Sequence, residues 1–355
     1  MPVKYLTVVG MMSGTSLDGI DLVLCRFTNS HGQYRFRILH AVTYIYTPEW
    51  RKQLNAASAL GAEEFLLLHH EYGKFIGDQV NRFLNESGHT ADLIASHGHT
   101  IFHQPSRGFT FQLGDGASIA SRCHITTVSD FRNLDVALGG QGAPLVPAGD
   151  EILFPEYSFC LNLGGFANIS NQLNGIRIAS DLCPVNIVLN SLARSSGHEF
   201  DEGGETGRRG TANASLLNEL NSLEFYSRTG PKSLGREWVE SCFMPLLLKY
   251  DLPQEDLART VYEHIAFQIG RYVNFYGPGD MMVTGGGTFN TFLVEKIAEA
   301  TNTKLVVPDD QIIMFKEALI FAFLGLLRYR NKINCLASVT GARRDSSSGI
   351  IHLIS

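Results

Sequence analysis

The sequence predicts an α/β protein whose two similar halves face one another across a cleft. Apolar strand runs alternate with segments of helical apolar spacing. One order of elements, namely hairpin, third strand, helices and a strand ending in a polar loop, occurs twice. Each half sends Gly-, Ser- or Asp-bearing strand ends toward what reads as one edge. At 355 residues the chain is also long for one core, so two domains are expected.

The first half opens with an apolar strand, Tyr5 to Met11, and a turn, Ser13-Gly14-Thr15-Ser16-Leu17-Asp18-Gly19. A second strand runs from Ile20 to Phe27. The hairpin tip presents backbone N–H groups and three hydroxyls, which suits phosphate oxygens; an ordinary surface hairpin is the alternative. Asp18 fits beside a phosphate only with a divalent cation between them. A third strand, Tyr34 to Tyr46, follows. Pro48 opens a helix, and Glu63 to Leu84 has helical apolar spacing. The strand Leu93 to Ser96 ends on His97-Gly98-His99-Thr100. Phe109 to Leu113 leads to Gly114-Asp115-Gly116, and Ile125 to Val128 delivers Ser129-Asp130-Phe131-Arg132.

In the second half, Ser158 to Leu163 is a strand and Gly164-Gly165 a turn. Asn168 to Leu173 and Ile176 to Ala179 pair through a tight Asn174-Gly175 turn. Asp181 follows, then a helix from about Val185 to Ser195. The helical segment Gln254 to Phe275 precedes the strand Met281 to Thr284 and the loop Gly285-Gly286-Gly287-Thr288-Phe289-Asn290, which opens a helix near Thr291. The Gly/Pro-rich stretch Asp135 to Asp150 is the candidate boundary. The apolar helix Glu317 to Tyr329 is expected to return to the first domain. The expected domains are 1–134 with 317–355, and 135–316.

Composition narrows the class. A hydrophobic fraction of 44% and a charged fraction of 18% describe an ordinary globular protein. Net charge of -6 without a Lys/Arg run argues against nucleic acid as partner. Six scattered cysteines with no C-x-x-C pair read as reduced thiols in the cytoplasm. The N-terminus turns polar too soon for a signal peptide, and no apolar run nears the roughly 20 residues of a membrane span.

Two Gly-rich hairpin tips, a Gly-Gly-Gly loop before a helix and isolated carboxylates suit nucleotide phosphoryl transfer. The P-loop and dinucleotide fingerprints are absent. Asp181 can act as general base or can cap the helix near Pro184. His97 and His99, two apart, are expected on one strand face, more readily as hydrogen-bonding groups than as metal ligands. Arg132 can pair with a substrate carboxylate or with Asp130 or Asp135. Lys232 lies in a Gly/Pro-bounded loop from which it can reach a phosphate or simply solvent. Asp201 to Gly210 reads as a loop able to close over a ligand.

Six motifs resemble the anhydro-N-acetylmuramic acid kinase family, in order along the chain. They are Gly14-Thr15-Ser16-Leu17-Asp18-Gly19, Ser96-His97-Gly98-His99-Thr100, Asp130-Phe131-Arg132, Gly139 to Pro147, Asn162-Leu163-Gly164-Gly165 and Pro231 to Glu237. The resemblance runs from about Gly10 to Gly341. It implies the actin, sugar kinase and heat-shock ATPase fold, with two ribonuclease-H-like domains around a nucleotide cleft. It implies hydrolytic opening of 1,6-anhydro-N-acetylmuramic acid with transfer of the ATP γ-phosphate to O6, within peptidoglycan recycling. The family's base falls on Asp181. Its sugar-binding positions fall on His97, Arg132 and Glu317, and Thr100, Asp115 and Asn186 are expected to join them. Phosphate contacts are expected at Ser13, Gly14, Thr15, Ser16 and Asp18, at Gly164 and Gly165, at Gly285, Gly286, Gly287 and Asn290, and at Lys232. Mg²⁺ is expected on Asp18, and a homodimer is expected.

The sequence departs from the family pattern at two places. Asp181-Leu182-Cys183-Pro184-Val185-Asn186 keeps the Asp, Pro and Asn but lacks both glycines, and Val185 excludes a positive φ there. His99 stands where the family usually has Gln, exchanging an amide for a titratable ring. Another carbohydrate kinase of this fold, phosphorylating a free hydroxyl, is the first alternative. A non-catalytic ATP-driven clamp is the second.

Overall fold

The computed structural model describes residues 5–14, 17–228 and 232–354. Thr15 and Ser16, two of the expected phosphate contacts, lie outside the described residues, as do residues 229–231 of the Lys232 loop.

Two compact units form: Met1–Pro155 with Phe315–Ser355, and Glu156–Met314. Unit 1 contains β1 (Tyr5–Ser13), β2 (Gly19–Ser30), β3 (Gln33–Ile45), β4 (Leu93–Gln104), β5 (Phe109–Leu113) and β6 (Thr127–Ser129). Unit 2 contains β7 (Phe159–Leu163), β8 (Phe166–Leu173), β9 (Ile176–Pro184), β10 (Asp280–Thr284) and β11 (Lys304–Val306), and the chain returns to unit 1 for β12 (Ile350–His352). The sheet orders are β12-β6-β4-β1-β2-β3, with β5 on β4, and β11-β10-β7-β8-β9. In both, the first strand pairs antiparallel with the second and parallel with the fourth. The duplicated plan is therefore real, and each sheet has the ribonuclease-H-like order.

Local chemistry explains the elements. Thr47 accepts a hydrogen bond from the Trp50 N–H at 3.3 Å and Pro48 takes the first helical position, which starts the helix Pro48–Ala56. The helix Ala62–Ser87 buries Tyr72, Ile76, Val80 and Phe83 against Val9, Met11, Leu22 and Leu24. Asn174 and Gly175 both have positive φ, at 53° and 79°, which is what a two-residue hairpin turn demands. In unit 2, Val261, Ile265 and Ile269 of the helix Gln254–Tyr276 share a core with Leu161, Ile169 and Val283.

The other face of the unit 1 sheet is covered by the helix Asp310–Tyr329, whose return the sequence anticipates. Its close seat depends on two side-chain-free positions. A Cβ on Gly10 would stand 2.0 Å from the Ala318 carbonyl oxygen, and one on Gly325 would stand 2.4 Å from the Ala95 Cβ. Phe323 then packs on Phe27 and Tyr34, and Phe321 on Phe131 and His97.

Residues 135–155, expected in the second domain, pack with unit 1 instead. Asp135 is buried and accepts hydrogen bonds from the Thr340 hydroxyl at 2.7 Å and the Gly142 N–H at 2.8 Å. Asp150 pairs with Lys316 at 2.9 Å, both buried, and Phe154 packs edge-on against Phe36. Buried carboxylates need such partners, and these lie in unit 1. The segment Asp201 to Gly210 is pinned rather than open: Asp201 accepts bonds from the Thr206 and Gly207 N–H groups and the Tyr262 hydroxyl.

Replacing Gly10 by Ala forces β1 away from the helix Asp310–Tyr329. We expect a loss of about 1–3 kcal/mol, the usual cost of overfilling a packed core, read as a lower urea midpoint at unchanged slope. A parental midpoint would contradict the close packing.

Candidate active site

Unit 2 gathers three expected elements at one end of its sheet. The parallel register pairs Thr284 with Asn162, so β7 and β10 finish side by side. The Gly164-Gly165 turn and the Gly285 loop therefore emerge together, and Gly287 sits against Leu163. Gly285 has φ +86°, and a Cβ there would stand 2.6 Å from Asn162 Oδ1, so the bend requires glycine. Gly165 and Gly286 have open space where a Cβ would be, leaving bare backbone for a ligand to approach. Asn186 begins the helix Asn186–Ser195 and its Nδ2 donates to the Leu163 carbonyl at 3.2 Å. The Val185 and Asn186 N–H groups donate to the Gly165 and Gly164 carbonyls at 2.8 and 3.3 Å. Val185 is buried at φ -126° and ψ -99°, so this position does not take the positive φ that would demand glycine, although its ψ lies outside the α and β regions. Asn290 serves the fold: its Oδ1 accepts from the Leu293 N–H at 2.9 Å, and its Nδ2 donates to the Tyr262 hydroxyl at 2.6 Å. Both ends of its amide are thus engaged within unit 2, at a position where a nucleotide contact is expected from the sequence.

Asp181 lies within β9, not after it, and no side chain caps the following helix. Its carboxylate is oriented from two sides. Asn168 Nδ2 donates to Oδ1 at 2.5 Å, and the Leu234 N–H donates to Oδ2 at 2.8 Å. Asn162 Nδ2 donates in turn to Asn168 Oδ1 at 3.3 Å. Burial pushes the Asp181 carboxyl above the ordinary carboxylate range, while the two donors pull it back part of the way. No residue pattern around Asn168 marks it as functional, although the hairpin register pairs it with Asp181 across the strands. Leu234 acts through its backbone, which no residue type announces. Lys232 does not point to open solvent or to the Gly loops. Its Nζ donates to the Phe225 carbonyl at 3.0 Å and lies 4.4 Å from the centre of the Phe225 ring.

Unit 1 separates two residues expected together. Gly98 has φ +75°, and the β1–β4 register slips between the Met11–Ser96 and Ser13–His99 pairs. The bulge turns His97 and His99 to opposite faces. His97 stacks on Phe321, whereas His99 meets Tyr72 edge-on. The Arg132 Nε–H can only donate, so His97 Nε2 must accept, at 2.9 Å, and Nδ1 donates to the Gly98 carbonyl at 2.9 Å. Burial and the Arg132 charge drive the His97 imidazolium pKa well below its usual value, so the ring is neutral. Arg132 also donates to the Gly142 carbonyl at 2.6 Å, and among the described residues it makes no hydrogen bond to Asp130 or Asp135. Burial lowers its pKa to about 10, against the opposing pull of Glu317. Glu317 meets solvent while enclosed by protein mass. That enclosure raises its carboxyl pKa, and Arg132 and Lys316 offset part of the rise. His97 and Arg132 are therefore joined by a hydrogen bond, and Glu317 acts on Arg132 through its charge alone.

On the other face, the Ser13 hydroxyl is buried between the Tyr46 hydroxyl at 2.6 Å and His99 Nδ1 at 2.9 Å, and Tyr46 continues to the Tyr72 hydroxyl. Ser13 thus locks the end of β1 and does not present its side chain at the tip. Burial lowers the His99 pKa to about 4. Gly14 opens the turn, its carbonyl accepting from the Leu17 N–H at 3.4 Å, and Asp18 is exposed beyond it. Thr100 Oγ1 accepts weakly from Gln112 at 3.4 Å. Asp115 caps the helix Gly116–Cys123, accepting from the Ser118 N–H at 2.7 Å and hydroxyl at 2.6 Å, and contacts His70. The hollow it lines with His70, Lys74 and Arg122 contains neither His97, Arg132 nor Glu317, so Asp115 reads as structural.

Comparisons with known proteins identify the family. The family described as "Anhydro-N-acetylmuramic acid kinase" matches residues 6–353. A Vibrio parahaemolyticus protein of that name is 34% identical, covering 97% of each chain. One from Vibrio cholerae is 35% identical at the same coverage, and one from Crocosphaera subtropica 33% identical over 97% and 98% of the two chains. A solved structure, component A of Acidaminococcus fermentans (R)-2-hydroxyglutaryl-CoA dehydratase, is far more distant, at 13% identity and TM-score 0.47 over 90% and 97% of the chains. The chain belongs to the anhydro-N-acetylmuramic acid kinase family and is a sugar kinase that uses ATP.

Proposed function

We propose that the enzyme couples hydrolysis of the 1,6-anhydro bond to phosphorylation of the oxygen that hydrolysis frees. Asp181 takes a proton from a water as that water attacks C1. The C1–O6 bond breaks, O6 accepts the γ-phosphoryl group of ATP, and ADP leaves. The products are N-acetylmuramic acid 6-phosphate and ADP, and the reaction returns cell-wall sugar to metabolism. One observation carries the role of Asp181: it is a carboxylate aimed by donors on both oxygens, with its pKa raised by burial. A base needs both orientation and raised basicity. His97, Arg132 and Glu317 are the proposed sugar-side contacts. Arg132 supplies the fork for a carboxylate, and the neutral His97 holds that fork in place. The bare backbone at Gly165 and Gly286 is the proposed approach for phosphates.

Mg²⁺ fits Asp18. The carboxylate is exposed, and among the described residues nothing bonds it. No cluster of three or more His, Cys, Asp or Glu suited to a metal occurs among the described residues. A hard cation held by one carboxylate together with phosphate oxygens and water has this signature. Mg²⁺ bound there would neutralise phosphate charge. The proposed reaction takes place in the cytoplasm, in keeping with six free cysteines among the described residues. It includes a homodimer, which sedimentation of the purified protein checks.

With ATP, Mg²⁺ and the anhydro-sugar in ¹⁸O water, the label should enter the C1 hydroxyl of the product before that hemiacetal exchanges with solvent. Phosphorylated sugar free of label at C1 points instead to a kinase acting on a free hydroxyl. Asp181→Asn should lower turnover by about 10²–10⁴ while ATP binding stays near the parental value. Turnover within about tenfold of the parent excludes Asp181 as the base. Because burial raises the Asp181 pKa, kcat/KM should fall on acidification with a midpoint above the ordinary value of about 3.9. A midpoint at or below that value contradicts the assignment.

A further inference from the structure

We propose that Lys232 is a positioning residue for Asp181, anchoring the backbone segment that holds the carboxylate and making no contact with phosphate. The inference rests on Asp181 being the base.

Asp181 is tied to this segment twice. Its own N–H donates to the Lys232 carbonyl at 2.9 Å, and the Leu234 N–H donates to its Oδ2 at 2.8 Å. β9 is the edge strand of the unit 2 sheet, so no further strand of the sheet supplies these bonds. Residues 232–235 have no regular structure of their own, and no ladder of hydrogen bonds fixes their distance from β9. Something else must hold them.

The Lys232 ammonium is that hold. It donates to the Phe225 carbonyl at 3.0 Å and approaches the Arg228 carbonyl at 3.5 Å, at the C-terminal end of the short helix Glu224–Ser227. It also lies over the Phe225 ring at 4.4 Å and near the Tyr226 ring at 5.8 Å. Both rings are buried in the unit 2 core. A cation over an aromatic face and against helix C-terminal carbonyls is favourable on both counts. The lysine stem therefore ties the segment to the core, and Leu234 packs its side chain on the same core two residues later. Between these two anchors the 232 carbonyl and the 234 N–H face Asp181. A lysine engaged in this way is directed into its own unit's core, which explains why burial lowers its pKa.

The test compares Lys232→Met, which keeps the stem and removes the charge, with Lys232→Arg, which keeps donors and a cation for the ring. In Lys232→Met the Leu234 amide should lose protection from hydrogen exchange. The acid limb of kcat/KM should move up by about one unit, since a carboxylate loses a donor. Turnover should fall roughly tenfold with KM for ATP unchanged, and Lys232→Arg should restore most of all three. If Lys232→Met does not fold, Phe225→Leu, which withdraws the ring and keeps the lysine, should move the acid limb in the same direction by less. A raised KM for ATP with parental Leu234 exchange and a parental acid limb overturns the proposal and makes Lys232 a phosphate contact. Parental values throughout overturn it as well. Leu234 exchange does not depend on which group is the base. If Asp181→Asn proves active, the catalytic reading fails while the anchor is still judged on its own.

Discussion

The parallel pairing of the first and fourth strands in each sheet is the constraint on which the site depends. Parallel neighbours point the same way, so the loops that follow them leave from the same end. In unit 2 the alignment of Thr284 with Asn162 sets the Gly164-Gly165 turn beside the Gly285 loop. In unit 1 the β1–β4 pair brings Ser13 level with His99 and starts the Gly14 turn there. The hairpins then hang on these central strands, and β8 and β9 carry Asn168 and Asp181 to the same sheet. Few of the polar residues involved are close in sequence.

Asp181 illustrates how a fold tunes one carboxylate. Burial alone disfavours its charged form. Hydrogen bonds from Asn168 and Leu234 favour the charged form and fix its plane. The outcome is a carboxylate of raised pKa in a defined orientation, and each contribution comes from a different structural level: the hairpin register, the irregular 232–234 segment and the core beneath both.

Much of this was legible in the sequence, and the limits have physical causes. The Asn174-Gly175 turn fixes the pairing of β8 with β9, so counting outward from it pairs 173 with 176 and reaches Asn168 opposite Asp181. Pro48 behind Thr47 marked its helix, and the apolar run after Glu317 marked its return to the first unit. Gly98, by contrast, reads as one more turn residue, yet its positive φ breaks the period-two rule and parts His97 from His99. Ser13 looked like a tip hydroxyl because nothing local reveals that Tyr46 and His99 surround it. Lys232 looked like a phosphate ligand because its true partners are a carbonyl and an aromatic face seven residues back. Asp135 to Asp150 looked like a linker by composition, whereas the burial of Asp135 and Asp150 beside unit 1 partners settles where the stretch packs.

The discontinuity of unit 1 has a consequence for synthesis. Unit 2 is one continuous stretch, Glu156–Met314, and its strands and helices are all available once that stretch has left the ribosome. Unit 1 is made first but cannot close then. Most of the helix that covers one face of its sheet, and the strand β12 that pairs with β6, lie in Phe315–Ser355, made last. Until they arrive, the sheet face around Gly10 and Ala95 and the edge of β6 stay uncovered, so the emerging chain carries an apolar surface through the whole translation of unit 2. Unit 1 can therefore be completed only after the whole of unit 2 has been made.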